Sequence, residues 1–135
     1  MREILFHGKR TDNGEWIEGD VLQTKYHSGH IEYQIMPQTP VSSAVPVLPE
    51  TIGQYTGLTD KNGKRIFEGD ICRFKRFNDI HVGEIVFNVT TASFVMRYQS
   101  IVGAYGEKAT QKMLLSVCDD IEVIGNIHDN PELME

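Results

Sequence analysis

One cluster of letters occurs twice in this chain and narrows the folds open to it. Thr11-Asp12-Asn13-Gly14, Trp16-Ile17 and Glu18-Gly19-Asp20-Val21 are echoed by Thr59-Asp60, Asn62-Gly63, Ile66-Phe67 and Glu68-Gly69-Asp70-Ile71. Asn-Gly is the strongest short hairpin signal, because both residues tolerate positive φ. Each copy reads as a turn, two or three strand residues, a glycine corner and a new strand. Glycine adopts backbone angles that L-residues avoid, and the following aspartate can accept from nearby amides and hold the bend. Two adjacent acids also invite a second reading, a carboxylate or metal site at Glu68 and Asp70. Catalytic acids need pKa values shifted by a cleft or a partner, and the expectation is that no second polar group such as a His or Lys stands beside either copy. Having the corner twice favours scaffolding, since two hairpins can share one solution more readily than one small chain needs two active sites.

The rest of the chain supports a β architecture. Long helical periodicity is missing, and short alternating runs fill 2–8, 20–26, 30–36, 71–77, 82–89, 93–98 and 120–127. Within 30–36, Ile31, Tyr33 and Ile35 share one face. Residues 37–49 hold four of the five prolines and read as a connector between two lobes, 1–49 and 50–135. Residues 104–117 read as one or two helical turns followed by a short strand. Asn130-Pro131-Glu132 reads as the start of a single helical turn, with Asn130 as its N-cap. Many short strands with little helix predict an all-β chain built as a small barrel or sandwich.

A chain of 135 residues buries roughly two-thirds of the surface its unfolded form exposes, so it needs no staple. Apolar residues make up 40% and charged residues 24%, an ordinary globular balance. The net charge of -6 opposes generic binding to phosphate backbones while leaving room for a local basic patch. Cys72 and Cys118 form no CxxC pair, and the first ten residues carry charges where a signal peptide is apolar. No run approaches the ~20 apolar residues of a spanning helix. The expectation is a cytoplasmic protein with two packed, reduced thiols, no cofactor and no membrane partner.

Three further groups bear on function. His27 and His30 form HxxH beside Gly29; in a strand they point to opposite faces, so joint metal binding needs a turn there. Arg73-Phe74-Lys75-Arg76-Phe77 interleaves cations with aromatics, as a nucleic-acid contact would. Alternation instead puts Phe74 inward and Arg73 and Lys75 on a solvated face, facing acids on a neighbouring strand. Trp16, Tyr55, Phe67 and Tyr98 read as core or interface aromatics. The chain contains no P-loop, GxSxG or HExxH motif.

The stretch "ETIGQYTGLTDKNGKRIFEGDIC" (50–72), followed by "IEVIGNIHDNPELM" (121–134), resembles the YopX family of phage and prophage proteins, as does the opening "REILFHGKR". The shared signature comprises Gly53, Tyr55, Thr56, Gly57, Leu58, Asp60, Asn62, Gly63, Ile66, Glu68, Gly69, Asp70, Gly125, Asn126 and Pro131. His128 departs from it, standing where that family usually has an aromatic such as tyrosine. The resemblance implies a mostly β protein whose later part is an SH3-like barrel, a phage or prophage origin and a tendency to self-associate. It implies no catalytic residues. The leading expectation is therefore a non-enzymatic accessory protein acting through contacts with host or phage proteins, as a homo-oligomer. A nucleic-acid binder using Arg73, Lys75 and Arg76 stands second, and a metal-dependent hydrolase at Glu68 and Asp70 third.

Overall fold

A computed structural model of the chain describes residues 1–40 and 43–134. The chain divides into two compact units, Met1–Gly57 and Leu58–Glu135.

The first unit holds β1 (Phe6–Lys9), β2 (Trp16–Lys25), β3 (Ile31–Met36), β4 (Val45–Pro46) and most of β5 (Gly53–Thr59). Their order is β4-β3-β2-β1-β5, with antiparallel pairing of neighbours. The division falls at 57/58, later than the 49/50 read from the prolines, because β5 returns to pair with β1 through Phe6↔Gln54 and His7↔Gly53. The proline-rich stretch is also more than a connector. Its residues 41 and 42 lie outside the described part, but Val45 and Pro46 form an edge strand on β3, a place where a missing N–H does no harm. Val47 beyond them is buried at 3% exposure, beside Ile35 at 0%. Thr51 fastens this return: its hydroxyl accepts from Lys9 N (2.9 Å) and donates to Leu48 O (2.6 Å).

In this unit the first Glu-Gly-Asp is not a corner. Gly19 lies inside the ten-residue β2, in continuous strand at the point where pairing passes from β1, ending at Gly19, to β3, starting at Asp20. Its glycine serves close approach: a Cβ there would collide with the carbonyl oxygen of Met36 on the neighbouring strand. Asp20, one residue on, is exposed and accepts from the Gln38 amide at 2.9 Å.

The second unit holds β6 (Arg65–Phe67), β7 (Asp70–Arg76), β8 (Asp79–Asn88), β9 (Ser93–Val102), β10 (Glu107–Leu114) and β11 (Asp119–Asn126). Five of them form an antiparallel sheet in the order β10-β9-β8-β7-β11, consistent with an SH3-like barrel. One face is the core: Ile66, Cys72, Phe74, Ile85, Met96, Tyr98, Leu115 and Cys118 cluster there. Phe74 is 1% exposed and meets Tyr98 edge-on at 5.1 Å. Burying such a ring contributes roughly 2–3 kcal/mol. The region 104–117 differs from its sequence reading. It forms the full strand β10 plus a short 3-10 turn at Leu115–Val117. Gly103 and Gly106, both at φ 78, turn the chain back so that eight consecutive pairs with β9 form, a gain that overrides local helical propensity. Pro131–Met134 is a 3-10 turn as short as expected. Among the described residues no helix is long and apolar enough to cross a membrane.

Candidate functional site

The second Glu-Gly-Asp is a true corner. Gly69 sits at φ 93 in the turn that ends β6 and starts β7. Its N–H donates to Ile85 O (2.8 Å) and its carbonyl accepts from Ile127 N (2.9 Å), so one residue joins β8 to the segment after β11. Asp70 turns inward at 6% exposure, and its Oδ2 accepts from Phe67 N at 2.8 Å. Glu68 stays half-buried at the turn.

The charges that reach Asp70 are those of Lys64 and Asp60. The electrostatically coupled acids are therefore Asp60 and Asp70, not Glu68 and Asp70. Asp60 opens the Asn62-Gly63 hairpin. Its Oδ1 accepts from Asn62 N and Lys64 N, both at 2.9 Å, and its Oδ2 accepts from Val123 N on β11 at 3.0 Å. Lys61 N also donates to Ile121 O (2.8 Å), so the hairpin is stitched to β11 at two points. The environments split the pair. Burial pushes Asp60 up, but the amides of Val123, Lys64 and Asn62 more than cancel it and hold the carboxyl below its usual range. For Asp70 burial dominates over the Phe67 amide and raises the carboxyl to about 7.

Split acids are a mark of general acid–base sites. Here both side chains are buried; Asp60 uses both oxygens on backbone amides and Asp70 uses Oδ2 on one, so the arrangement holds a hairpin, a corner and a strand together. Cys72 lies near them, its thiol pushed well up first by burial and then by the Asp70 charge; burial likewise raises Cys118 to about 11. Protonated thiols of this kind are poor nucleophiles.

This geometry makes a pH prediction. A carboxyl raised from 3.8 to about 7 contributes stability that is fully present below 3.8 and lost as pH rises through 7. Denaturation of the chain at pH 8 and pH 5 should show the greater stability at pH 5, by on the order of 2 kcal/mol. Asp70→Asn keeps an oxygen for Phe67 N and should flatten that difference. An unchanged pH dependence in the variant would refute the assignment.

The remaining signature residues are placed in the same way. Tyr55 is buried and donates its N–H to Leu5 O (2.8 Å), Gly53 pairs with His7, and Ile66 is 0% exposed; Thr56 is half-buried, while Gly57 and Leu58 are exposed along β5. Asn126 Oδ1 accepts from His128 N (3.0 Å) and Asp129 N (2.9 Å), closing the turn before Pro131. Gly125 leaves room for Asn130, whose Oδ1 would stand 2.6 Å from a Cβ. Asn130 Oδ1 accepts from Asn126 N (3.3 Å), so its side chain points back to β11 rather than forward into the 3-10 turn.

Two cations of the basic strip are matched, while among the described residues Arg76 forms no ion pair and its Nε is buried without a hydrogen bond. Arg73 meets Glu122 at 3.4 Å, Lys75 meets Asp120 at 3.4 Å, and Lys61 also meets Glu122 at 3.3 Å. Exposed pairs of this kind contribute at most ~1 kcal/mol each. Phe74 is core, whereas Phe77 and Asn78, at φ 50 and 69, form the two-residue β7–β8 turn. Arg76 lies over the Phe77 ring at 3.9 Å. His27 and His30 fall on the β2–β3 turn, where the His30 ring stacks on Tyr26 at 5.8 Å. Among the described residues no three His, Cys, Asp or Glu side chains gather as a metal site. On the first unit an open groove of about 530 Å³ is lined by Phe6, Val21, Gln23, Tyr33, Pro49 and Ile52, a mostly apolar wall.

These features define a class: a small two-unit β protein in which Asp60, Asp70 and Gly69 of the second copy serve the main chain. The family model described as YopX protein matches residues 5–135, and the chain belongs to the YopX protein family. The chain is also similar to the crystal structure of protein EF1440 from Enterococcus faecalis, with 26% identity, 100% of each chain covered and a TM-score of 0.49. No curated protein matches the chain.

Proposed function

We propose that this chain is a phage- or prophage-encoded accessory protein that acts in the bacterial cytoplasm without catalysis, through protein–protein contacts and as a homo-oligomer. The observation that carries the reading is the use of Asp60 and Asp70. The acids best placed for chemistry are bonded to the amides of Asn62, Lys64, Val123 and Phe67. Contact surface, in contrast, is plentiful. Strand β10 lies at a sheet edge, and Ile101, Tyr105 and Val89 are exposed at 73%, 92% and 82%. Edge strands and exposed apolar side chains are the ordinary materials of protein association. Two free cysteines buried in the core suit a reducing compartment. The nucleic-acid reading through Arg73, Lys75 and Arg76 draws no support from cations already facing Glu122, Asp120 and the Phe77 ring.

Light scattering coupled to size exclusion tests this reading. The expected mass is a whole multiple of the chain mass at tens of micromolar. A strict monomer up to millimolar concentration would remove self-association.

A further inference from the structure

Strand β10 has one neighbour, β9, and ends the sheet order. Antiparallel pairing puts directly opposed side chains on one face. On one face of β10, therefore, Lys108 lies beside Ile101, Thr110 beside Gln99, Lys112 beside Arg97 and Leu114 beside Val95. The alternate residues Ala109, Gln111 and Met113 are half-buried, and Met113 packs on the core. Arg97 is answered by Glu84 at 2.7 Å. Lys108 and Lys112 are exposed and meet no carboxylate among the described residues. Glu107, the one acid of β10, is held by the preceding turn, where it accepts from Tyr105 N at 3.2 Å.

Among the described residues, therefore, the two ammonium groups of this edge meet no carboxylate, and their residues lie about 13 Å apart on one face. Opposing Arg97 and Lys112 places like charges side by side, which is unfavourable by itself. A partner supplying carboxylates would relieve it. A second β10 in the symmetric antiparallel register centred on Thr110 would set Lys108 against Lys112, like charge against like. Two hollows of about 190 and 180 Å³ lie over this face, lined in part by Arg97, Gln99, Thr110 and Lys108 together with Leu133 and Met134 of the C-terminal turn.

We propose that β10 is a docking edge for an extended acidic segment of another protein. That segment adds as an antiparallel strand, with carboxylates four residues apart against Lys112 and Lys108. An apolar residue two positions before the first acid packs on Leu114, which is 54% exposed. Main-chain bonds supply the affinity and the lysines select the sequence. The proposal rests on the reading of the chain as a protein-contact module and names the chemistry of its partner.

The probe is a fluorescein-labelled peptide, Ser-Leu-Thr-Glu-Val-Thr-Val-Glu-Ser, titrated with the full chain by fluorescence anisotropy. Saturable binding is expected. The double variant Lys108→Glu, Lys112→Glu should weaken it roughly fivefold to tenfold, and a peptide with both glutamates changed to lysine should regain binding to that variant. N-methylation of alternate peptide amides should abolish it. Absence of saturable binding, or binding indifferent to the lysines or to N-methylation, overturns the proposal. So does a single-stranded oligonucleotide that displaces the peptide and binds more tightly. Light scattering on the same samples separates the two readings. An oligomer that ignores the peptide overturns only the acidic edge, whereas a monomer that takes the peptide upholds the edge and removes self-association.

Discussion

Asp60→Ala should destabilise the second unit by about 3–4 kcal/mol, because three backbone donors lose a charged acceptor at once. Two of them, Asn62 N and Lys64 N, belong to the hairpin; the third, Val123 N, belongs to β11 sixty-three residues away. At 7% exposure the site admits little water to replace the carboxylate. In a unit of this size such a loss corresponds to a fall in melting temperature of roughly 15–25 °C. Far-UV circular dichroism should record it. Asp60→Asn keeps one acceptor oxygen and places an NH2 against the remaining donors, so an intermediate loss is expected. The pH dependence runs opposite to that of Asp70. A carboxyl held below its usual range contributes stability that is present above the unfolded value, 3.8, and lost as pH falls through the lower folded value. The alanine variant should therefore lose part of the chain's sensitivity to acid. A loss below 1 kcal/mol would show that the hairpin and β11 are held by something else.

Gly19→Ala should damage the first unit as severely. The new methyl would meet the Met36 carbonyl oxygen and lie 2.6 Å from its carbon, which are backbone atoms of a paired strand and cannot swing aside. Relief requires β2 and β3 to part where Asp20 faces Met36, at a penalty of about 3 kcal/mol or more. Trp16, the chain's single tryptophan, lies on the same strand and stacks on His7 at 4.5 Å, so its fluorescence should report the change. Gly14→Ala is the internal control. Gly14 has φ 71 and open space around it, so it should cost only about 1–2 kcal/mol. Equal effects at the two glycines would mean that backbone approach is not what Gly19 provides.

Gly19 and Gly69 occupy equivalent letters in the repeat yet do different work, and the contrast marks how far the chain can be read without coordinates. Gly69 adopts a positive φ and turns the strand, whereas Gly19 lies in extended backbone under a neighbour's carbonyl. The flanking residues are nearly the same, so no local signal separates them. What differs is the strand that arrives alongside. Asp60 shows the same divide. An aspartate ahead of Asn-Gly signals an Asx-type turn, which foretells the bonds from Asn62 and Lys64. The third bond, from Val123, depends on where β11 is laid.

The letters of the chain were enough for its β character, its hairpins at Asn62-Gly63 and near Gly29, the inward placing of Phe74, Ile66 and Tyr98, and its family. Period-two alternation and turn chemistry are short-range physics, written in neighbouring residues. Tertiary structure alone decided that residues 107–114 are a strand, that the first Glu-Gly-Asp lies in continuous strand, that the acids facing Arg73 and Lys75 are Glu122 and Asp120, and that Lys108 and Lys112 face nothing of opposite charge among the described residues. Each of these is set by which distant strand lies alongside, and pairing energy between strands outweighs the preferences of any single segment.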